Sequence, residues 1–163
     1  MEIIRAKHMG FCFGVSGAIE TCYNVLKETE NLGKKIYILG MLVHNEFVVK
    51  KLEKEGFETI EEEDILKKRD KLKSGDIVII RAHGTSEKVY NMLKEKNIKI
   101  YDATCIFVTQ IRKTLIEMEA KGYEILFVGD KEHPEVKGII SFGKNIQVFK
   151  NLEEILKAEI KKD

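Results

Sequence analysis

The chain has a single proline, three cysteines and no long apolar run, and each scarcity excludes something. No stretch approaches the roughly 20 apolar residues of a membrane-spanning helix, so no membrane segment is expected. The cysteines (Cys12, Cys22, Cys105) are odd in number and far apart. That rules out a disulfide scaffold and leaves metal binding, catalysis or burial. The net charge is only +1, so nothing global points to nucleic acid or to an anionic membrane surface. There is no glycine fingerprint for a dinucleotide, no P-loop and no low-complexity segment. The first residues include Glu2, Arg5 and Lys7 where a signal peptide would be apolar, so a cytoplasmic location is expected.

What is present is a chain of 163 residues, 44% hydrophobic and 34% charged, the balance of a globular protein able to bury a real core. Hydrophobic periodicity predicts strands over 2–7, 35–39, 57–60, 77–81, 98–101, 123–128 and 146–149. It predicts helices over 16–30, 46–55, 61–73, 86–96, 109–121, 134–142 and 152–160. Asn31-Leu32-Gly33 is expected to end the first helix, and Ser86 to cap the fourth. Strands and helices alternate throughout, which implies an α/β fold with mostly parallel sheets and right-handed crossovers. A boundary near 103–108 divides the pattern into a first α/β unit over 1–103 and a partial second unit over 104–163. The charged helices over 46–55 and 61–73 read as solvated faces.

Chemistry-bearing residues gather at the ends of the predicted strands. The run Met9-Gly10-Phe11-Cys12-Phe13-Gly14-Val15 places Cys12 in a glycine-flanked turn leading into a helix. Free N–H groups and the positive dipole end at that start favour a thiolate. Gly10 and Gly14 are expected to take backbone angles that side chains disfavour. Cys105, His44, His83 and His133 follow strands in the same way. In parallel sheets, ligands bind beyond the carboxyl ends of the strands, so five such residues imply one shared site.

The chemistry open to this set is limited. Zinc is conceivable, although the paired spacing of a structural zinc site is missing. An iron–sulfur cluster held by widely spaced cysteines is another option. Histidines beside helix N-termini also suit a phosphate-bearing ligand. Glu135, just after His133-Pro134, is a candidate proton donor. Cys22 lies on the apolar stripe of the first helix, about 15 Å of helical rise beyond Cys12, and reads as core. His8 reads as structural, Asp102 and Asp130 as caps of the turns they begin, and Arg81 as buried or paired near the site.

The ordered set Gly10-Phe11-Cys12-Phe13-Gly14-Val15, Leu42-Val43-His44-Asn45, Arg81-Ala82-His83-Gly84, Asp102-Ala103-Thr104-Cys105, Gly129-Asp130 and His133-Pro134-Glu135-Val136-Lys137-Gly138 resembles the 4-hydroxy-3-methylbut-2-enyl diphosphate reductases, the IspH or LytB family. The resemblance runs over essentially the whole chain. It implies reductive removal of an allylic hydroxyl, giving isopentenyl and dimethylallyl diphosphate. It implies a [4Fe–4S] cluster held by three cysteines, of which Cys12 and Cys105 match two. It further implies His44, His83 and His133 as holders of the diphosphate or hydroxyl side, Glu135 as proton source, and a ferredoxin or flavodoxin as electron donor. The family has three α/β units; this chain matches the first and part of the second. A third cluster cysteine is therefore expected to be missing, and Ile106 stands where the family usually has proline. On this reading the chain is an N-terminal portion, inactive alone, with uncovered surface that favours self-association. A non-catalytic module binding a diphosphate or a divalent metal through the three histidines is the alternative.

Overall fold

The computed structural model describes residues 2–30 and 33–158. Its main sheet has four parallel strands: β1 (Ile36–Leu39), β2 (Glu58–Ile60), β3 (Ile77–Ile80) and β4 (Lys99–Asp102), in the order β2-β1-β3-β4. Every residue of β1 and β3 is buried, as continuous β-branched and apolar runs must be when helices cover both faces. Alternation along the strands divides the core in two. Ile36, Ile38, Ile77 and Ile79 meet Ala18, Cys22 and Val25 of α1 (Phe13–Thr29) and Leu52 of α2 (Glu46–Lys54). Tyr37, Leu39, Val78 and Ile80 meet Ile65 of α3 (Glu62–Leu66) and Val89 and Leu93 of α4 (Glu87–Glu95).

A second sheet pairs β5 (Ile125–Val128) in parallel with β6 (Ile146–Phe149). α5 (Ile106–Ala120) precedes it, α6 (Pro134–Ile140) makes the crossover, and α7 (Leu152–Leu156) follows. Val108, Leu115 and Ile139 form its small core with Ile125, Phe127 and Ile146. α6 and the turn after it also reach α4 and the turn before it. Gly138 lies against the backbone of Thr85, and the N–H of Glu87 donates to Ser141 Oγ at 2.9 Å. The Phe142 ring meets Tyr90 at 6.0 Å between centroids, while Arg112 of α5 lies 4.8 Å over the Phe142 ring.

Several predicted elements change. Residues 2–7 form no strand: they are exposed, Ile4 by 86%, and no described strand lies beside them to complete a ladder. The helix predicted over 61–73 shrinks to α3, because Lys68 turns left-handed (φ 54) and Arg69 bonds back to Asp64. α5 starts at Ile106, three residues earlier than periodicity predicts, with Cys105 as its N-cap. Ile106 thus occupies the first helical position, where proline is also favoured and no N–H partner is needed. Ser86 has the backbone of an N-cap, but its hydroxyl donates to Glu62. The last helix stops at Leu156; its predicted end, 159–160, and the expected Asn31-Leu32 stop lie outside the described residues.

Ile79 has no exposed surface, so Ile79→Ala is expected to cost about 3 kcal/mol in urea unfolding. Leu152→Ala, at a residue 66% exposed, is expected to stay within about 0.5 kcal/mol.

Candidate functional site

Strand order decides where the polar exits meet. β1 leads outward to β2, and the chain then returns to β3 on the other flank of β1. That reversal opens a crevice beyond the carboxyl ends of β1 and β3. The register pairs Leu39 with Ile80 and Ile80 with Asp102. His83 and Cys105 each stand three residues past their strand's member of the Ile80–Asp102 pair, so they leave the sheet level with one another. The exits stay bonded after the strands end. Ala82 N–H donates to Leu42 O at 3.1 Å, and Cys105 N–H donates to Ala82 O at 2.9 Å.

The three histidines converge from different elements. His44 follows β1, and Asn45 then caps α2 by accepting from the N–H groups of Phe47 and Val48. The His44 and His83 rings lie 4.4 Å apart between centroids. His133, the N-cap of α6, brings its ring to 6.5 Å from His83. Its Nδ1 accepts from the N–H of Glu135 at 3.2 Å. Glu135 is half-buried in the first turn of the same helix. A cavity of about 260 Å³ beside His44, Asn45 and His83 has Phe11, Val15, Val43 and Ala82 as its apolar wall.

Burial, then the charges of His44, Arg81 and His133, lower the His83 pKa from 6.5 to about 4. His83 is therefore neutral near pH 7. Arg81 is both mostly buried and paired: its side chain is 16% exposed and lies 3.3 Å from Glu62. Glu62 was expected on a solvated helix face; it faces Arg81 and Ser86 instead. Asp102 and Asp130 cap their turns as expected, each accepting an N–H two residues on.

The cysteines divide as the helical spacing implies. Cys22 is fully buried in the first core, and burial, then the Glu55 charge, pushes its thiol up to about 12. Cys12 is exposed at the N-cap of α1, Cys105 half-buried at the N-cap of α5, and neither is bonded to another sulfur. Gly14 joins the two starts. A Cβ there would stand 2.6 Å from Cys105 Sγ. Gly14 therefore provides room, and its backbone is helical, unlike Gly10, whose φ is +104. His8 is exposed and takes no visible structural part.

Two thiols at adjacent helix starts suit an iron–sulfur cluster but do not complete one. Among the described residues no three His, Cys, Asp or Glu side chains converge closely enough to hold a metal ion. The three histidines are thus not arranged as a zinc site either. Asn45 and the Arg81–Glu62 pair are members of the site that periodicity did not single out. The short polar Asn45 directly before a helical run was the available signal for the first; nothing local in sequence links residues 62 and 81.

The LytB protein family model matches residues 3–163. The chain belongs to the LytB family. It is 55% identical over its full length to a 4-hydroxy-3-methylbut-2-enyl diphosphate reductase of Fusobacterium nucleatum subsp. nucleatum, covering 19% of that protein. A reductase of the same name from Thermoanaerobacter sp. (strain X514) is 46% identical over 85% of this chain and 46% of its own length. The solved E-1-hydroxy-2-methyl-but-2-enyl-4-diphosphate reductase from Plasmodium falciparum superimposes with a TM-score of 0.82 at 33% identity, covering 95% of this chain and 46% of the other. The chain thus spans half or less of the length of these LytB relatives. The α/β architecture with parallel sheets is the one expected from the sequence.

The depressed His83 pKa sets a pH dependence. Between pH 6.5 and about 4 the unfolded chain binds the extra proton, so stability is full above that window and falls as pH drops through it. The loss is expected to be on the order of 2 kcal/mol, discounted for partial exposure. Thermal melts from pH 7.5 to 4.5 check this, with His83→Gln expected to flatten the slope.

Proposed function

We propose that this chain is an N-terminal portion of a 4-hydroxy-3-methylbut-2-enyl diphosphate reductase, an oxidoreductase of isoprenoid precursor synthesis that acts in the cytoplasm. The observation that carries the reading is the convergence of His44, His83 and His133 at the switch point of the sheet, next to two thiols at helix starts. In this reading the first α/β unit is 1–103 and the second 104–163. Cys12 and Cys105 are two of three thiolates of a [4Fe–4S] cluster, and the third comes from outside this chain's described residues. When bound, such a cluster would supply the Lewis acidity and pass on, one at a time, the two electrons needed to remove an allylic hydroxyl. A ferredoxin or flavodoxin supplies the electrons.

The chain's own residues bind and protonate. A diphosphate entering between the histidines meets a neutral His83. Its negative charge favours the protonated form of His83, so binding draws a proton from solvent. The apolar wall of Phe11, Val15, Val43 and Ala82 suits the isoprenoid carbons, which lose little by leaving water. Glu135, in the first turn of α6, provides the proton with which the hydroxyl departs as water, and a second proton goes to the product carbon. With two thiols alone, the chain by itself binds substrate without turning it over.

The exposed apolar side chains Ile106, Phe107, Ile111 and Ile116 of α5 support self-association of the isolated chain.

Calorimetry with 4-hydroxy-3-methylbut-2-enyl diphosphate tests the anion site. Binding is expected to tighten as pH falls from 7.5 to 6, with net proton uptake seen as a buffer-dependent enthalpy. His83→Gln is expected to weaken it by about tenfold. Absence of binding, or binding unchanged in His83→Gln, refutes the assignment. Anaerobic iron and sulfide analysis tests the thiols. Any iron carried by the chain is expected to vanish in Cys12→Ser and in Cys105→Ser, and its retention in either removes that residue from the ligand set.

A further inference from the structure

We propose that Arg81 is the positioning residue of the histidine site: one guanidinium ties the exits of β1 and β3 to the starts of α3 and α4 and holds the His83 turn in place. This rests on reading the histidines as the diphosphate site.

Arg81 is the first residue past β3. Its Nη1 lies against Gly40, where a Cβ would stand 2.6 Å away. Gly40 has φ +63, so the exit of β1 both bends there and leaves space for the guanidinium. Arg81 Nε donates to the carbonyl of Gly84 at 3.3 Å. The N–H of Gly84 donates back to the carbonyl of Arg81 at 2.9 Å. Ala82 and His83 are enclosed between those two bonds.

The third arm, Nη2, donates to Glu62 Oε2 at 3.3 Å. The other oxygen of Glu62 accepts from the Ser86 hydroxyl at 2.9 Å. Ser86 is the N-cap of α4, so both ends of the 81–86 segment are tied to one carboxylate. Ala82, inside that segment, also bonds the exits that carry His44 and Cys105. A shift of this turn therefore moves His83 relative to its neighbours. The planar fork of arginine serves two hydrogen-bond partners in fixed directions while it packs against Gly40, which a lysine ammonium cannot reproduce. The charge is a separate effect, because Arg81 with His44 and His133 also disfavours a proton on His83.

The 163-residue chain and the variants Arg81→Lys, Arg81→Gln and Glu62→Gln separate these roles. The readouts are inorganic pyrophosphate binding by calorimetry, the NMR titration of His83, ring-to-ring Overhauser contacts between His44 and His83, and the thermal midpoint. Arg81→Lys is expected to leave the His83 titration low, since the charge stays, yet to weaken pyrophosphate by about tenfold and lose the ring contacts. Arg81→Gln is expected to weaken binding as much and to raise the His83 titration. Glu62→Gln, which touches neither histidine nor ligand, is expected to weaken binding by about threefold with little change in midpoint. Pyrophosphate affinity and ring contacts kept at wild-type level in Arg81→Lys would overturn the proposal. If the wild-type chain fails to bind pyrophosphate, the diphosphate reading fails. The ring contacts then decide the positioning role: kept in Arg81→Lys they refute it, and lost they support it.

Discussion

Ala82 donates its N–H to Leu42 and accepts from the N–H of Cys105, so the hydrogen bonding of the sheet continues past the last strand residues. Loops leaving neighbouring strands normally diverge within a residue or two, because nothing pairs them. Here the exits of β1, β3 and β4 stay side by side until their functional side chains are reached. The site inherits the rigidity of a core in which β1 and β3 are buried on both faces. Such a frame can hold side chains to a fraction of an ångström without ligand.

The electrostatics follow from that frame. Three imidazoles and a guanidinium are brought together, and the one carboxylate on the guanidinium, Glu62, lies on the side of Arg81 that serves α3 and Ser86. Burial and the neighbouring charges disfavour the charged form of His83, a strain toward its neutral ring. An anion relieves that strain. The pattern is that of a site whose stability and ligand affinity run in opposite directions with pH. The thiols contrast with this. Cys12 and Cys105 lie beside α1 and α5 starts, where dipoles favour negative charge, and Gly14 allows the two helix ends to approach.

Phe11, Phe13, Ile106 and Phe107 stand more than half exposed around the two cysteines. Farther along α5, Ile111, Leu115 and Met118 line an apolar groove of about 340 Å³ with Ile125 and Phe127. Scattered surface hydrophobes are ordinary, but a contiguous set is not.

The sequence by itself determined the alternating elements, the membership of the core and the candidate list. Those depend on local periodicity and on residue types placed next to turns. Ile77–Ile80 reads as a buried strand and Cys22 as core for this reason, and both are buried. The same local rules misread 2–7 as a strand, because pairing needs a neighbour that periodicity cannot see. They also extended the helix over 61–73 past the left-handed Lys68. Only the tertiary structure decided that β1 lies beside β3, that His44 and His83 stand 4.4 Å apart, and that Glu62 belongs to Arg81. These are relations across 19 residues or more of chain, fixed by sheet register and helix packing. No residue carries them alone.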